Sequence, residues 1–152
     1  MKDLRPEPRS VVGWVRNGFG MHTADAVTAD DVSAWVTGAL RHELELAGLR
    51  VVGETPGSGT PVLGAEVSRV MCDAFMTYSG EVTIRAWIRV GEAFPLNQAY
   101  GDTSSAGINL AATGEGYSEC VSRTVQGAAR RIAADAVRVL QAPPPPAQAV
   151  AF

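Results

Sequence analysis

The chain has 152 residues, 46% of them apolar and 19% charged, with a formal charge of −3. That length is enough for one domain with a real core, and that composition excludes wholesale disorder. The negative balance gives no electrostatic reason to expect nucleic acid, and no run approaches the ~18 apolar residues of a membrane-spanning helix.

Residues 1–10 carry Pro6, Pro8 and several charges and read as a flexible N-terminal lead. They contain no apolar run of the kind a signal peptide needs. Read literally, the chain is cytosolic; a mature portion of an exported protein fits the composition equally. Val11, Val12, Trp14 and Val15 predict a first strand over Ser10–Asn17, followed by a loop to Val27. Thr28 is placed to cap a helix over Ala29–Ala47, with Asp30 and Asp31 where the helix dipole favours negative charge. Val32, Val36, Ala39, Leu40, Leu44 and Ala47 form its apolar stripe, and Gly48 stands at the usual stop. Leu49–Gly53 reads as a short strand, and strand, helix and strand in succession predict a right-handed crossover between parallel strands.

Glu54–Pro61 is a turn-rich loop. Val62–Phe75 is a long strand whose alternation slips. Leu63, Ala65 and Val67 share one parity, while Val70, Cys72 and Ala74 share the other. One extra residue near Ser68–Arg69, a β-bulge, restores the facing. Thr77–Gly80 reads as a hairpin turn. Glu81–Val90 (EVTIRAWIRV) then carries the clearest period in the chain. Val82, Ile84, Ala86, Ile88 and Val90 face one way; Glu81, Thr83, Arg85, Trp87 and Arg89 face the other. Phe94–Ser105 is a further strand, placed at an edge because Pro95 cannot donate to a ladder. Ile108–Thr113 is a connector into a second helix over Glu115–Gln141. Its stripe is Val121, Val125, Ala128, Ile132, Ala136 and Val139, with Arg123, Arg130, Arg131 and Arg138 on the far side. Residues 142–152 form a Pro-rich disordered tail.

The long elements run β-α-β-β-β-α. The expected fold is α+β, a two-layer sandwich with two helices on one face of a mixed, mostly antiparallel sheet. A single domain spans residues 11–141.

Several stretches are similar to one known family. They are Leu44-Glu-Leu-Ala-Gly48-Leu49-Arg-Val-Val52, the meander Val67–Ala74 with Glu81–Val90, Gly116-Tyr117, and the alanine-rich Ala133–Leu140. Together they resemble the YajG-like family of bacterial envelope lipoproteins over about Val11 to Leu140. The resemblance implies an exported, non-enzymatic protein on the periplasmic face of a bacterial membrane, lipid-anchored through an N-terminal cysteine. This sequence begins with neither a lipobox nor a cysteine.

Residues that carry chemistry are sparse. His22 is assigned to a loop and His42 to the exposed side of the first helix, without converging partners, so no metal and no cofactor is expected. Glu43 falls within the apolar stripe and is expected at its edge, reaching water. Cys120 lies off the stripe of the second helix, which favours two free thiols over a bond to Cys72. Gly57-Ser-Gly59-Thr60 lacks the Lys and the helix of a phosphate loop. The arginines of the second helix read as a solvated face. No GxSxG motif and no paired carboxylates point to an enzyme.

The wet face of the sheet is the candidate site. Trp87, Arg85 and Arg89 are expected there, joined by Met71 and Phe75 through the bulge, and by Tyr100. Aromatic, Met and Arg side chains together are the composition of an interface core. The leading expectation is therefore a binding or assembly module that meets an envelope protein, or a copy of itself, through its open sheet face or edge. The alternative is a small-ligand carrier with a cleft between helices and sheet, which requires loose packing beneath Ala128, Ile132 and Ala136.

Overall fold

Alternation in Glu81–Val90 builds the centre of the molecule. The computed structural model describes residues 1–53, 57, 59–108 and 112–141. Its elements are β1 (Lys2–Asp3), β2 (Val11–Arg16), β3 (His22–Val27), α1 (Val32–Leu46), β4 (Val62–Ala74), β5 (Thr77–Val90), β6 (Ala93–Ile108) and α2 (Gly114–Gln141). The strands form one sheet in the order β3-β2-β4-β5-β6, with β1 also paired to β4. β4, β5 and β6 are antiparallel neighbours, whereas β1 and β2 both run parallel to β4. Both helices pack on the face that carries Val67, Val70, Val82 and Ile84. This is the expected two-layer α+β sandwich.

The slip in β4 is a bulge. Val67 faces Ile84 and Val70 faces Val82, with the register shift between Val67 and Arg69. The extra residue keeps Ala65, Val67, Val70, Cys72 and Ala74 all buried. β6 is a terminal strand, as Pro95 requires. A second register shift, after Ile88, turns Val90 outward, and that residue is exposed rather than on the dry side.

Several boundaries differ from expectation. The cap of α1 is Asp31, whose carboxylate accepts from the Ser33 amide at 2.8 Å. Thr28 instead accepts from the Asp30 amide, in a turn just before the helix. Gly48 does stop the helix, at φ +84°, with the Leu49 amide donating back to the Leu44 carbonyl. Leu49–Gly53 is not a strand; Leu49 and Val51 pack irregularly against the core around Leu44 and Ile88. The strand parallel to β2 is β4, and β3 forms where a loop was expected, as the return arm of a hairpin from β2.

Thr77–Gly80 is not a turn either. It opens β5, and the chain reverses at Phe75–Met76. Gly80 serves packing. A Cβ there would collide with the Thr124 hydroxyl and come within 3.1 Å of the Cys120 carbonyl, so the missing side chain lets α2 lie against the strand.

Residues 2–5 also depart from the flexible lead. β1 pairs with β4, and the buried Arg5 guanidinium holds the Asp3 carboxylate at 2.9 Å and donates to the Val11 carbonyl. The tail 142–152 lies outside the described residues, as does part of the Gly57–Thr60 stretch.

The buried face of α2 is wider than a single stripe. Tyr117, Cys120 and Thr124 join Val121, Val125 and Ala128 on it. Cys120 therefore meets Cys72 across the core, and the two form a disulfide, with Cα atoms 6.4 Å apart. The expectation of free thiols placed the centre of that face too far round the helix.

Candidate functional site

Of the six residues expected on one surface, the structure brings three together. Arg85, Trp87 and Arg89 follow each other along the wet side of β5. The Trp87 indole lies flat over Gly64 of β4, where any Cβ would overlap the ring, and so is half-covered. Arg85 donates to the Asn97 side-chain carbonyl from Nε (3.2 Å) and from a terminal nitrogen (3.1 Å). Met71 is on the same face but opposite Glu81, six positions along β5 from Trp87, or about 20 Å. Phe75 lies beyond the end of β4, 39% exposed and close to Gly20.

Tyr100 belongs to the other side of the sheet. It faces Ile84, is 6% exposed, and donates its hydroxyl to Asp135 of α2 at 2.9 Å. Strand parity decides this: Tyr100 pairs with an even-numbered residue of β5, and the even residues are the dry ones. Burial, with the hydrogen bond to Asp135, pushes the Tyr100 phenol up to about 12. The same hydrogen bond holds the Asp135 carboxyl below the usual carboxylate range.

A residue that periodicity did not single out is Trp14. It faces Asp73 and stands at the Met71 end of the wet face. The Arg16 guanidinium lies 5.8 Å from its ring centroid and the His22 ring 6.1 Å away. Arg16 is bound to Asp73 at 2.8 Å. The wet face thus carries two separate aromatic spots, one at Trp87 and one at Trp14. Parity misleads for Trp14: it shares parity with the buried Val12, and the register shift between Val11 and Gly13 turns it to the wet side.

On the helix side, the core beneath Ala128, Ile132 and Ala136 is closed; all three are fully buried. The cleft required there by the ligand-carrier expectation does not exist. Space opens at the other end, where α1 and the first turns of α2 diverge over the β2–β3 hairpin. This groove has a volume of about 800 Å³. Val12, Val15 and Ala26 form its floor, Ala34, Trp35 and Ala39 one wall, and Val121, Val125 and Ser122 the other. Its upper end is fixed by two phenols. The Tyr117 hydroxyl donates to the Trp14 carbonyl at 2.8 Å, and the Tyr78 hydroxyl accepts from the Thr113 amide at 2.9 Å. Burial first, then the nearby Tyr78 and Asp73, push the Tyr117 phenol up to about 12. The disulfide fastens this part of α2 to β4.

The remaining polar candidates are engaged in the fold. His22 opens β3 and lies 2.9 Å from the Asp25 carboxylate. His42 is on the rim of the groove. Glu43 does not reach water: it is buried and bound to Arg130 of α2 at 3.2 Å. The other arginines of α2 also have acidic partners, Arg123 with Glu119, Arg131 with Asp102 and Arg138 with Asp135. Among the described residues no group of three or more His, Cys, Asp or Glu is arranged to hold a metal ion, and no helix is long and apolar enough to cross a membrane.

The arrangement is that of a small scaffold with a concave apolar side and a flat polar side. No family model and no curated protein matches the chain. Solved structures share its fold. One is an uncharacterized protein at 10% identity and a TM-score of 0.64, over 89% of this chain and 88% of that one. A second is a Xanthomonas campestris protein of the DUF330 family, at 10% identity and a TM-score of 0.60, over 93% and 94%. A third is a "putative lipoprotein" of Caulobacter crescentus, at 15% identity and a TM-score of 0.52, over 77% and 89%. At such identities the likeness speaks for the fold alone.

Proposed function

We propose that this chain is a non-enzymatic module of the bacterial envelope, like the YajG-like lipoproteins its sequence resembles, and that it acts by holding another protein. The observation that carries the reading is the Cys72–Cys120 disulfide, with both residues fully buried. Disulfides form and persist in oxidising compartments and are rare in a reducing cytosol. The fold shared with a "putative lipoprotein" adds to it. Both cysteines of the chain are in the disulfide, so neither is free to carry a lipid. The binding role draws on the exposed Arg85 and Arg89 beside Trp87 and on the open edge of the sheet.

Fractionation combined with thiol trapping in the native host tests the compartment. The protein should appear with the envelope and with no trappable thiol. Recovery from the cytosol with both thiols free counts against the reading. For the binding role, a photo-reactive residue in place of Thr83 should give one discrete crosslinked protein. Trp87→Ser with Arg85→Ser should weaken that crosslink.

A further inference from the structure

β3 and β6 stand at the two ends of the strand order, and they are not equally protected. An exposed strand edge is a template for another strand, and proteins blunt such edges with proline and with charged side chains. β6 has both devices. Pro95 lacks an amide hydrogen, and Arg131 of α2 donates to the Gly101 carbonyl while pairing with Asp102 at 2.8 Å. β3 has neither. Its six residues, HTADAV, include no proline, lysine or arginine, and all but Ala26 are exposed. Among the described residues β2 is its one strand partner. The Ala24 carbonyl is touched by the His22 ring, a half-exposed side chain that also pairs with Asp25 at 2.9 Å.

β3 is also the strand that borders the groove, with Ala26 and Val27 among its lining. A segment added beside β3 would turn alternate side chains toward the apolar side of the hairpin and the rest toward the wet face. The mouth of the groove is acidic. Asp30 lines it, and its carboxylate has no hydrogen bond or ion pair among the described residues. Asp31 follows, held in its charged form by hydrogen bonds from Ser33. Among the described residues no lysine or arginine lines the groove.

We propose that β3 and the groove together receive an extended segment of a partner protein, apolar at alternate positions and carrying a lysine or arginine that reaches Asp30. The proposal names the edge through which the binding module works and rests on that reading of the chain. A docked cation satisfies the free carboxylate, and the strand pairing satisfies the open edge of β3.

A displayed library of random linear peptides, selected on the intact oxidised protein, tests this. Selected peptides should alternate apolar and polar residues and be basic. Their binding should slow hydrogen exchange at β3 amides and leave β6 amides unchanged. Asp30→Asn should weaken them about tenfold, the scale of one charge-assisted hydrogen bond. Gly38→Trp should abolish binding without unfolding the chain, because a Cβ at Gly38 meets nothing within 4 Å. Failure to select binders, acidic binders, or protection at β6 would overturn the proposal. So would a groove that accepts single-chain detergents but no peptide, or a β3 edge already protected in a dimer of this chain. None of those results touches the envelope location or the crosslink from the wet face, so the broader reading fails or survives separately.

Discussion

Removing the Cys72–Cys120 bond should be the most costly small change available in this protein. The bond closes a loop with a sequence separation of 48. The loop-entropy relation puts the stabilisation from constraining an unfolded loop of that length at about 4 kcal/mol at 25 °C. A urea slope of about 2 kcal/mol per molar, ordinary for a small domain, converts this to a fall in midpoint of about 2 M. In thermal scans the loss corresponds to about 8–16 °C. The assay is urea unfolding at neutral pH of the oxidised protein, Cys72→Ala, Cys120→Ala and the double variant, with reductant present for the variants. Either single substitution breaks the same covalent link. The double variant should therefore lie within about 1 kcal/mol of each single one, the difference being the small cavity left by a lost sulfur. Variants that keep the original midpoint would refute the reasoning, and so would single effects that simply add. The first result would mean the loop is not constrained by the bond. The second would mean the sulfurs act as independent core atoms.

The close approach at Gly80 predicts opposite signs at two glycines. Gly80→Ala should cost about 1–3 kcal/mol by forcing α2 off the strand, whereas Gly38→Ala, in an open helical position, should gain about 0.5–1 kcal/mol. Urea midpoints moving the same way for both would remove the argument. Arg130→Met strands the buried Glu43 carboxylate and should cost about 1–3 kcal/mol, more than the ~0–1 kcal/mol of a surface pair. Adding Glu43→Leu should restore most of it, and a double variant less stable than the single would show the pair is not the cause. Tyr100 and Tyr117 are both pushed up to about 12. The unfolded chain releases these protons near its ordinary ~10 while the folded one keeps them. Their contribution is thus complete below about pH 10 and disappears as the pH rises toward about 12. Asp135 has the opposite sign: its lowered folded value contributes stability above about pH 4, lost as the pH falls through that folded value. Tyr100→Phe should flatten both limbs of a stability–pH curve, and an unchanged acid limb would show that Asp135 does not depend on this phenol.

The two-layer plan was legible because local periodicity reports burial directly. Val82, Ile84, Ala86 and Ile88 alternate with polar residues only if one side of the strand is dry. The parity slip in β4 located the bulge for the same reason. Gly48 stopped its helix because the left-handed conformation there is a local property. The candidate surface was less legible. Tyr100 was assigned to the wrong side because strand parity is relative: a residue's side depends on which partner residue it faces, and Ile84 lies sixteen positions away. Glu43 looked like an edge residue because its counter-ion, Arg130, is on another helix.

By itself the sequence determined the elements with strong internal period: β4, β5, β6 and both helices, and with them the α+β class. The tertiary structure alone decided the disulfide, the strand at His22–Val27, the side on which Tyr100 sits and the groove over the β2–β3 hairpin. Each depends on a distance between residues far apart in the chain, and no repeat within a single segment encodes such a distance. β3 shows the point most plainly. HTADAV has no apolar alternation of its own and is a strand because β2 lies beside it.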